Sequence, residues 1–254
     1  MKLTTTFLAA SSLMVLAACS GAETSGDTTA ETGTTETAEA GAETTPETGA
    51  EGPLADVATA TYSIEPTHAF LTATVMHNGL SEYTLSFTSF DGTLDFNAED
   101  PAASSLDFTI DPASVWVNYP GDYKEGHPDS PHASWPEALA QDETFMNAGT
   151  YPEITFTSTE VTRTGDMTGT VTGDLTFLGE TQPVTLDVTY NGVANVPWFG
   201  TRDILGFDAT TTINRSEFGQ EALQGMISDE VVVEFSGEFL QQDAAETSTE
   251  TDGN

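Results

Sequence analysis

The chain has 254 residues, 5 of them basic and 41 acidic, a formal net charge of -36, and a single cysteine. So acidic a polypeptide is unsuited to nucleic acid and to anionic lipid head groups, both of which call for Lys and Arg. The charge reads as a solvated surface of the kind a salty habitat favours. One cysteine leaves no disulfide to hold the fold, so the core must do it alone.

From the N terminus, residues 1–18 hold one cation, Lys2, then an apolar stretch from Phe7 to Ala18 broken only by Ser11 and Ser12. That is the layout of a signal peptide. The stretch falls short of the about 20 apolar residues that span a bilayer, and nothing later is apolar for longer, so a transmembrane helix is excluded. Leu16-Ala17-Ala18-Cys19 resembles the lipobox of bacterial lipoproteins. The resemblance implies that Cys19 carries diacylglycerol and a further acyl chain such as palmitate, and becomes the first mature residue. Two or three acyl chains exceed what stable membrane anchoring requires. Ser20 in place of Asp, by analogy with the sorting rule of enteric bacteria, implies the outer membrane and its periplasmic face.

Residues 19–60 continue with Gly, Ala, Ser, Thr, Pro, acids and a few aliphatics, without a base or an aromatic ring before Tyr62. Such a segment cannot bury enough apolar surface to offset chain entropy and is expected to be a disordered, self-repelling tether. Residues 243–254 have the same composition and the same reading.

Residues 61–242 form the candidate folded domain, large enough for one sizeable core. Apolar residues alternate with polar ones at Leu85/Phe87, Leu94/Phe96, Leu106/Phe108/Ile110, Ile154/Phe156, Leu175/Phe177, Val184/Leu186/Val188 and Val231/Val233/Phe235. This period of two predicts half-buried antiparallel strands. Asp91-Gly92, Thr164-Gly165-Asp166 and Gly179-Glu180 stand between such runs as hairpin turns would. Two short helices are predicted, one from Ser134 to Met146 with Pro136 in its first turn and Glu137 three residues after the cap, the other over 216–223. The predicted class is all-β with one or two short helices, its some eight to ten antiparallel strands forming either two sheets face to face or one sheet closed on itself, a barrel that about eight strands suffice to make. Inward parity then falls on Phe, Leu, Ile and Val, which build either a greasy tube or a solid core. Composition leaves both open.

The motifs Tyr62-Ser63-Ile64-Glu65-Pro66-Thr67-His68, Met76-His77-Asn78-Gly79, Phe90-Asp91-Gly92-Thr93-Leu94, Phe145-Met146-Asn147 and Tyr151-Pro152-Glu153-Ile154 follow one another in an order that resembles the YceI family of bacterial lipid-binding domains. Gly173-Asp174-Leu175-Thr176-Phe177, Gln182-Pro183-Val184, Ile213-Asn214-Arg215-Ser216-Glu217-Phe218-Gly219 and Ser228-Asp229-Glu230-Val231 complete the match. The resemblance implies an extended lipocalin-like barrel whose lumen takes a long-chain isoprenoid or related lipid, such as a polyprenyl chain or a quinone tail. A polyprenyl chain gains mainly by leaving water, at about 25 cal/mol per Å². Many members carry His-Leu where this chain has Ala138-Leu139, preceded by an inserted-looking loop at 120–136 whose Gly, Pro, Asp and Ser content suits a mobile lid.

The candidate lumen residues are Phe87, Phe96, Phe108, Ile110, Phe156, Leu175, Phe177, Leu186, Val188, Val233 and Phe235, and the lipid anchor is Cys19. His77 could bond a ligand head group or fix the neighbouring turn through backbone. Arg215 could meet a phosphate or quinone oxygen, or pair with Glu217 or Asp229 and pin its junction. His68 is expected to close a turn in the first strand. His127 and His132, near Asp122, Glu125 and Asp129, fit no recognised zinc spacing and read as a solvated loop. Neither G-x-G-x-x-G, P-loop nor G-x-S-x-G is present, so no catalytic residue, metal or cofactor is expected beyond a bound isoprenoid lipid or quinone. Two rivals stand beside the lipid binder: a side-chain-filled structural or stress lipoprotein, and an enzyme using the His127/His132 loop. Whether the chain pairs as a homodimer stays open.

Overall fold

A computed structural model describes residues 52–243. The expectations for the signal peptide, Cys19, most of the tether and the tail from 244 onward lie outside the described residues. Among those described, no helix is long and apolar enough to cross a membrane.

Ten strands are present: β1 (Ala60–His77), β2 (Ser81–Phe87), β3 (Phe90–Phe96), β4 (Ser105–Ile110), β5 (Val115–Trp116), β6 (Ile154–Arg163), β7 (Thr168–Phe177), β8 (Glu180–Ala194), β9 (Ile204–Asn214) and β10 (Ile227–Gln241). They form one sheet in the order β10-β9-β8-β7-β6-β4-β3-β1-β2-β5, and β1 also pairs with β10. The circuit β1-β3-β4-β6-β7-β8-β9-β10 is therefore a closed antiparallel barrel of eight strands, with β2 and β5 as a flap. Closure removes the unpaired edges that would otherwise invite association. One strand makes this possible: Ala60–Ser63 of β1 pairs with β3 and Leu71–His77 with β2, while its other edge follows β10.

Parity explains the wall. Outward positions are mostly Thr, Ser and acids, and threonine hydroxyls meet across strands, as in Thr172–Thr185 at 2.9 Å and Thr176–Thr181 at 2.8 Å. Inward positions hold the apolar residues of the alternating runs. Yet Val171, Leu175, Leu186, Val188, Val231 and Val233 stay only half-buried although they face inward. In a solid core they would be sealed, so the barrel centre is hollow.

Several local expectations change. Asp91-Gly92 lies inside β3 rather than in a turn, because the chain crosses from β2 to a strand that pairs with β1 and β4 instead. A glycine is needed there for space: a Cβ on Gly92 would fall 2.9 Å from Ile64 Cδ1 and from Phe108 Cδ2. The β7–β8 turn is Leu178-Gly179, one residue earlier than expected, with φ of 51° and 82°. Two successive positive φ values match the right-handed twist of a two-residue hairpin.

The helix expected over 134–146 is α2 (Trp135–Gln141), following a four-residue α1 (Tyr123–Gly126) that the sequence did not announce. Ser134 Oγ accepts from Glu137 N at 3.2 Å, and Glu137 Oε2 accepts from Ala133 N at 2.8 Å, which sets the N terminus. The helix stops early because Asp142 turns outward and accepts from Thr144 N and Oγ1. The helix expected over 216–223 is a single 3₁₀ turn, Arg215–Phe218, ended by Gly219 in the left-handed region.

Candidate functional site

The lumen is a cavity of about 670 Å³ running along the barrel. All eleven candidate lumen residues border it, and so do the other inward members of the alternating runs, from Leu85 to Val231. Two strands that lack a clean alternation add more: Leu71, Ala73 and Val75 from β1, and Phe207, Ala209 and Ile213 from β9. The volume lies within the about 300–1,000 Å³ usual for a ligand pocket. Phe90 stacks on Phe108 at 5.7 Å, and the edge of Phe235 meets Phe108 at 5.7 Å.

One end is plugged. Leu54, Val57, Tyr62, Ile64, Phe96, Ala98, Tyr190, Leu205 and Phe239 pack together there, with Tyr62 and Leu205 fully buried. Tyr62 Oη donates to Ala58 O at 2.7 Å. Burial, aided by the Asp203 carboxylate, raises the Tyr62 phenol well above the ordinary range and raises the Tyr190 phenol too, so both stay neutral. The Tyr190 hydroxyl is buried without a hydrogen-bond partner.

The other end is lined by larger polar-tipped side chains: His77, Tyr83, Tyr119, His127, Trp135, Arg215 and Gln220. Here α2 lies across the flap, placing Leu139, and just beyond it Phe145 and Met146, on the cavity wall. Trp135 Nε1 donates to Tyr83 Oη at 2.9 Å, tying the cover to β2, and burial raises the Tyr83 phenol. The 120–136 loop covers this end. It is built on an aromatic stack, Tyr123 against His127 at 4.5 Å and Trp135 at 5.9 Å, with Tyr123 buried.

The YceI-like domain family matches residues 62–239, almost the whole barrel. A UPF0312 protein of Pseudomonas putida F1 is 36% identical over 185 residues, covering 72% of this chain and 88% of the relative. A UPF0312 protein of Pseudomonas fluorescens is 35% identical over 188 residues, covering 73% and 89%. The chain belongs to the YceI-like family. Among solved structures, the YceI protein of Campylobacter jejuni superposes with a TM-score of 0.52 at 25% identity, covering 65% of this chain and 88% of that one. BcnA of Burkholderia cenocepacia shares the fold, with a TM-score of 0.54 at 23% identity, covering 70% and 99%.

Within this YceI-like domain the polar candidates take distinct places. His77 ends β1 at the covered mouth and borders the cavity. The adjoining turn is held by backbone, Asn78 N to Met226 O at 2.5 Å and Leu80 N to His77 O at 3.0 Å. Among the described residues the imidazole hydrogen-bonds only with the Asn78 amide and lies beside the Tyr83 ring at 6.4 Å between centroids, both at the cavity wall.

Arg215 is buried and pins its junction, but not through the carboxylates expected. Nε donates to Ser228 O at 2.8 Å and Nη1 to Ala222 O at 2.7 Å, with further bonds to Gln220. The loop folds back over the guanidinium, so its carbonyls reach it before Glu217 does. Asp229 instead accepts from Ser216 N and Oγ, which hold its carboxyl below the ordinary range. His132 Nε2 lies 3.6 Å from Asp142, whose carboxyl is held low by Thr144. His127 stacks instead on Tyr123, and the two loop histidines share no three-ligand cluster among the described residues.

Proposed function

We propose that this chain is a non-enzymatic envelope lipoprotein, anchored through Cys19, that holds a long-chain isoprenoid or related lipid inside its barrel for sequestration or transport. The observation that carries it is the hollow lumen. A cavity of about 670 Å³ bordered by Phe, Leu, Ile and Val has no use for water, and a hydrocarbon chain satisfies it through area removed from solvent. A side-chain-filled barrel would leave less than the about 300 Å³ at which ligand pockets begin. Membership of the YceI-like family supports the same reading.

The ligand reads as a polyprenyl chain or quinone tail, with His77 at the mouth as the polar handle for its head. The lipobox-like stretch ending in Cys19, followed by Ser20, supports a position at the outer membrane facing the periplasm, where the acidic tether would give the barrel reach. The test is native mass spectrometry and lipid extraction of the barrel purified from its own membrane fraction. A co-purifying polyprenol or quinone is the expected result. A barrel that is empty and takes up neither quinone nor polyprenol overturns the reading. Leu186→Trp, which adds an indole to the lumen wall, should cut uptake at least tenfold without unfolding the domain.

A further inference from the structure

The seam where the barrel closes carries an irregularity unrelated to the lumen. Along the β1–β10 ladder Ile64 faces Phe239, and pairing resumes at Ala69 and Gly237, so 65–68 of β1 lie against Glu238 alone. Pro66 cannot donate to the ladder, and the strand bulges around it. The bulge gathers three ligating side chains whose donor atoms all lie within 4.8 Å of one another: Glu65, His68 and Glu238. His68 Nδ1 is 2.5 Å from Glu65 Oε2 and 3.8 Å from Glu238 Oε2. Phe235 and Phe239 face inward, so Glu238 sits on the outer wall.

Glu65 is 8% exposed, and among the described residues the only basic side chain beside it is the His68 imidazole. Burial raises its carboxyl, but hydrogen bonds from Thr67 and His68 outweigh this and hold it below the ordinary range. It is a buried carboxylate that faces a second carboxylate across a single imidazole. Such groups are ordinarily balanced by a full cation. We propose that Glu65, His68 and Glu238 form a zinc-class divalent metal site that clips the first strand of the barrel to the last.

The donor chemistry selects the ion. One imidazole nitrogen and two carboxylate oxygens suit Zn²⁺, with water as fourth ligand, whereas Ca²⁺ asks for six to eight oxygens. Tetrahedral Zn²⁺ sets its donors about 3.4 Å apart, between the two distances observed. The ion takes the place of the proton between His68 and Glu65 and draws in the half-exposed Glu238. Thr67 Oγ1, at 2.7 and 2.8 Å from the two Glu65 oxygens and 3.1 Å from His68 Nδ1, stands within the same cluster and fixes the orientation of that carboxylate by hydrogen bonding.

The test titrates Zn²⁺ alone into chelator-treated full-length chain, followed by calorimetry and thermal melting. One equivalent should bind and raise Tm by about 5–10 °C at a hundredfold excess over Kd. Glu238→Gln and His68→Ala should abolish both effects, while the double variant His127→Ala/His132→Ala keeps them. The Glu238 side chain makes no hydrogen bond among the described residues, while its backbone stays in the β9–β10 ladder, so its amide variant keeps the fold, as circular dichroism will register. Weak binding of several equivalents that Glu238→Gln leaves unchanged, or none at all, overturns the proposal.

Discussion

At the plugged end of the barrel, Tyr62 and Leu205 are fully buried in a cluster with Phe96, Tyr190 and Phe239. At the middle, Leu186, Val188 and Val233 face inward yet remain half-buried around open space. Both regions use the same apolar residue types on the same alternating strands. The difference teaches that stability and capacity are separated along the barrel axis: one end holds the fold, and the rest is kept free for an occupant.

The largest test of that division is a pair of truncations. Leu205→Ala opens a void in the plug and should cost about 2–5 kcal/mol in urea unfolding. Leu186→Ala only widens a space already present, and less than about 1.5 kcal/mol should be lost in the empty protein. Equal costs would mean that the lumen is packed after all. Next is Gly173→Ala, whose Cβ would fall 2.4 Å from Phe156 Cζ and 2.5 Å from the Thr157 carbonyl. The Phe156 ring must then swing into the lumen. A loss of about 1–3 kcal/mol and reduced lipid uptake should follow together.

Two phenols sharpen the picture of the plug. Tyr62→Phe removes the hydroxyl bonded to Ala58 and should cost about 1 kcal/mol. Tyr190→Phe removes a buried hydroxyl that has no partner, and thermal melting should show no loss or a small gain. The smallest effect is at the covered end, where Thr144 holds the Asp142 carboxyl low. A lowered folded pKa stabilises above the ordinary carboxylate value, and that contribution disappears as pH falls below it. Asp142→Asn should therefore melt a few degrees or less below wild type at pH 7, with the gap closing by pH 3.

The wall of the lumen was largely legible because side chains in a strand alternate with period two, so Phe108, Phe156 and Phe235 reveal their facing without a structure. β9 was missed since its inward residues, Phe207, Ala209, Thr211 and Ile213, include small and polar ones that break the pattern. Arg215 was visible as a junction residue, but its partners were not. They are carbonyls of a loop whose path no spacing rule specifies. His77 was found from its motif, while the Tyr83–Trp135 tie joins residues 52 positions apart and left no local signal.

By itself, the sequence determined the class of the domain, the faces of most strands, the cap at Ser134 and, through ordered motifs, the family, because each depends on neighbours a few residues apart. The tertiary structure alone decided that the centre is open rather than filled, since a void depends on how eight walls are spaced and not on what faces it. It also decided that Glu238 meets Glu65 and His68. That meeting follows from closing the last strand on the first, a contact between chain ends that no local pattern can encode.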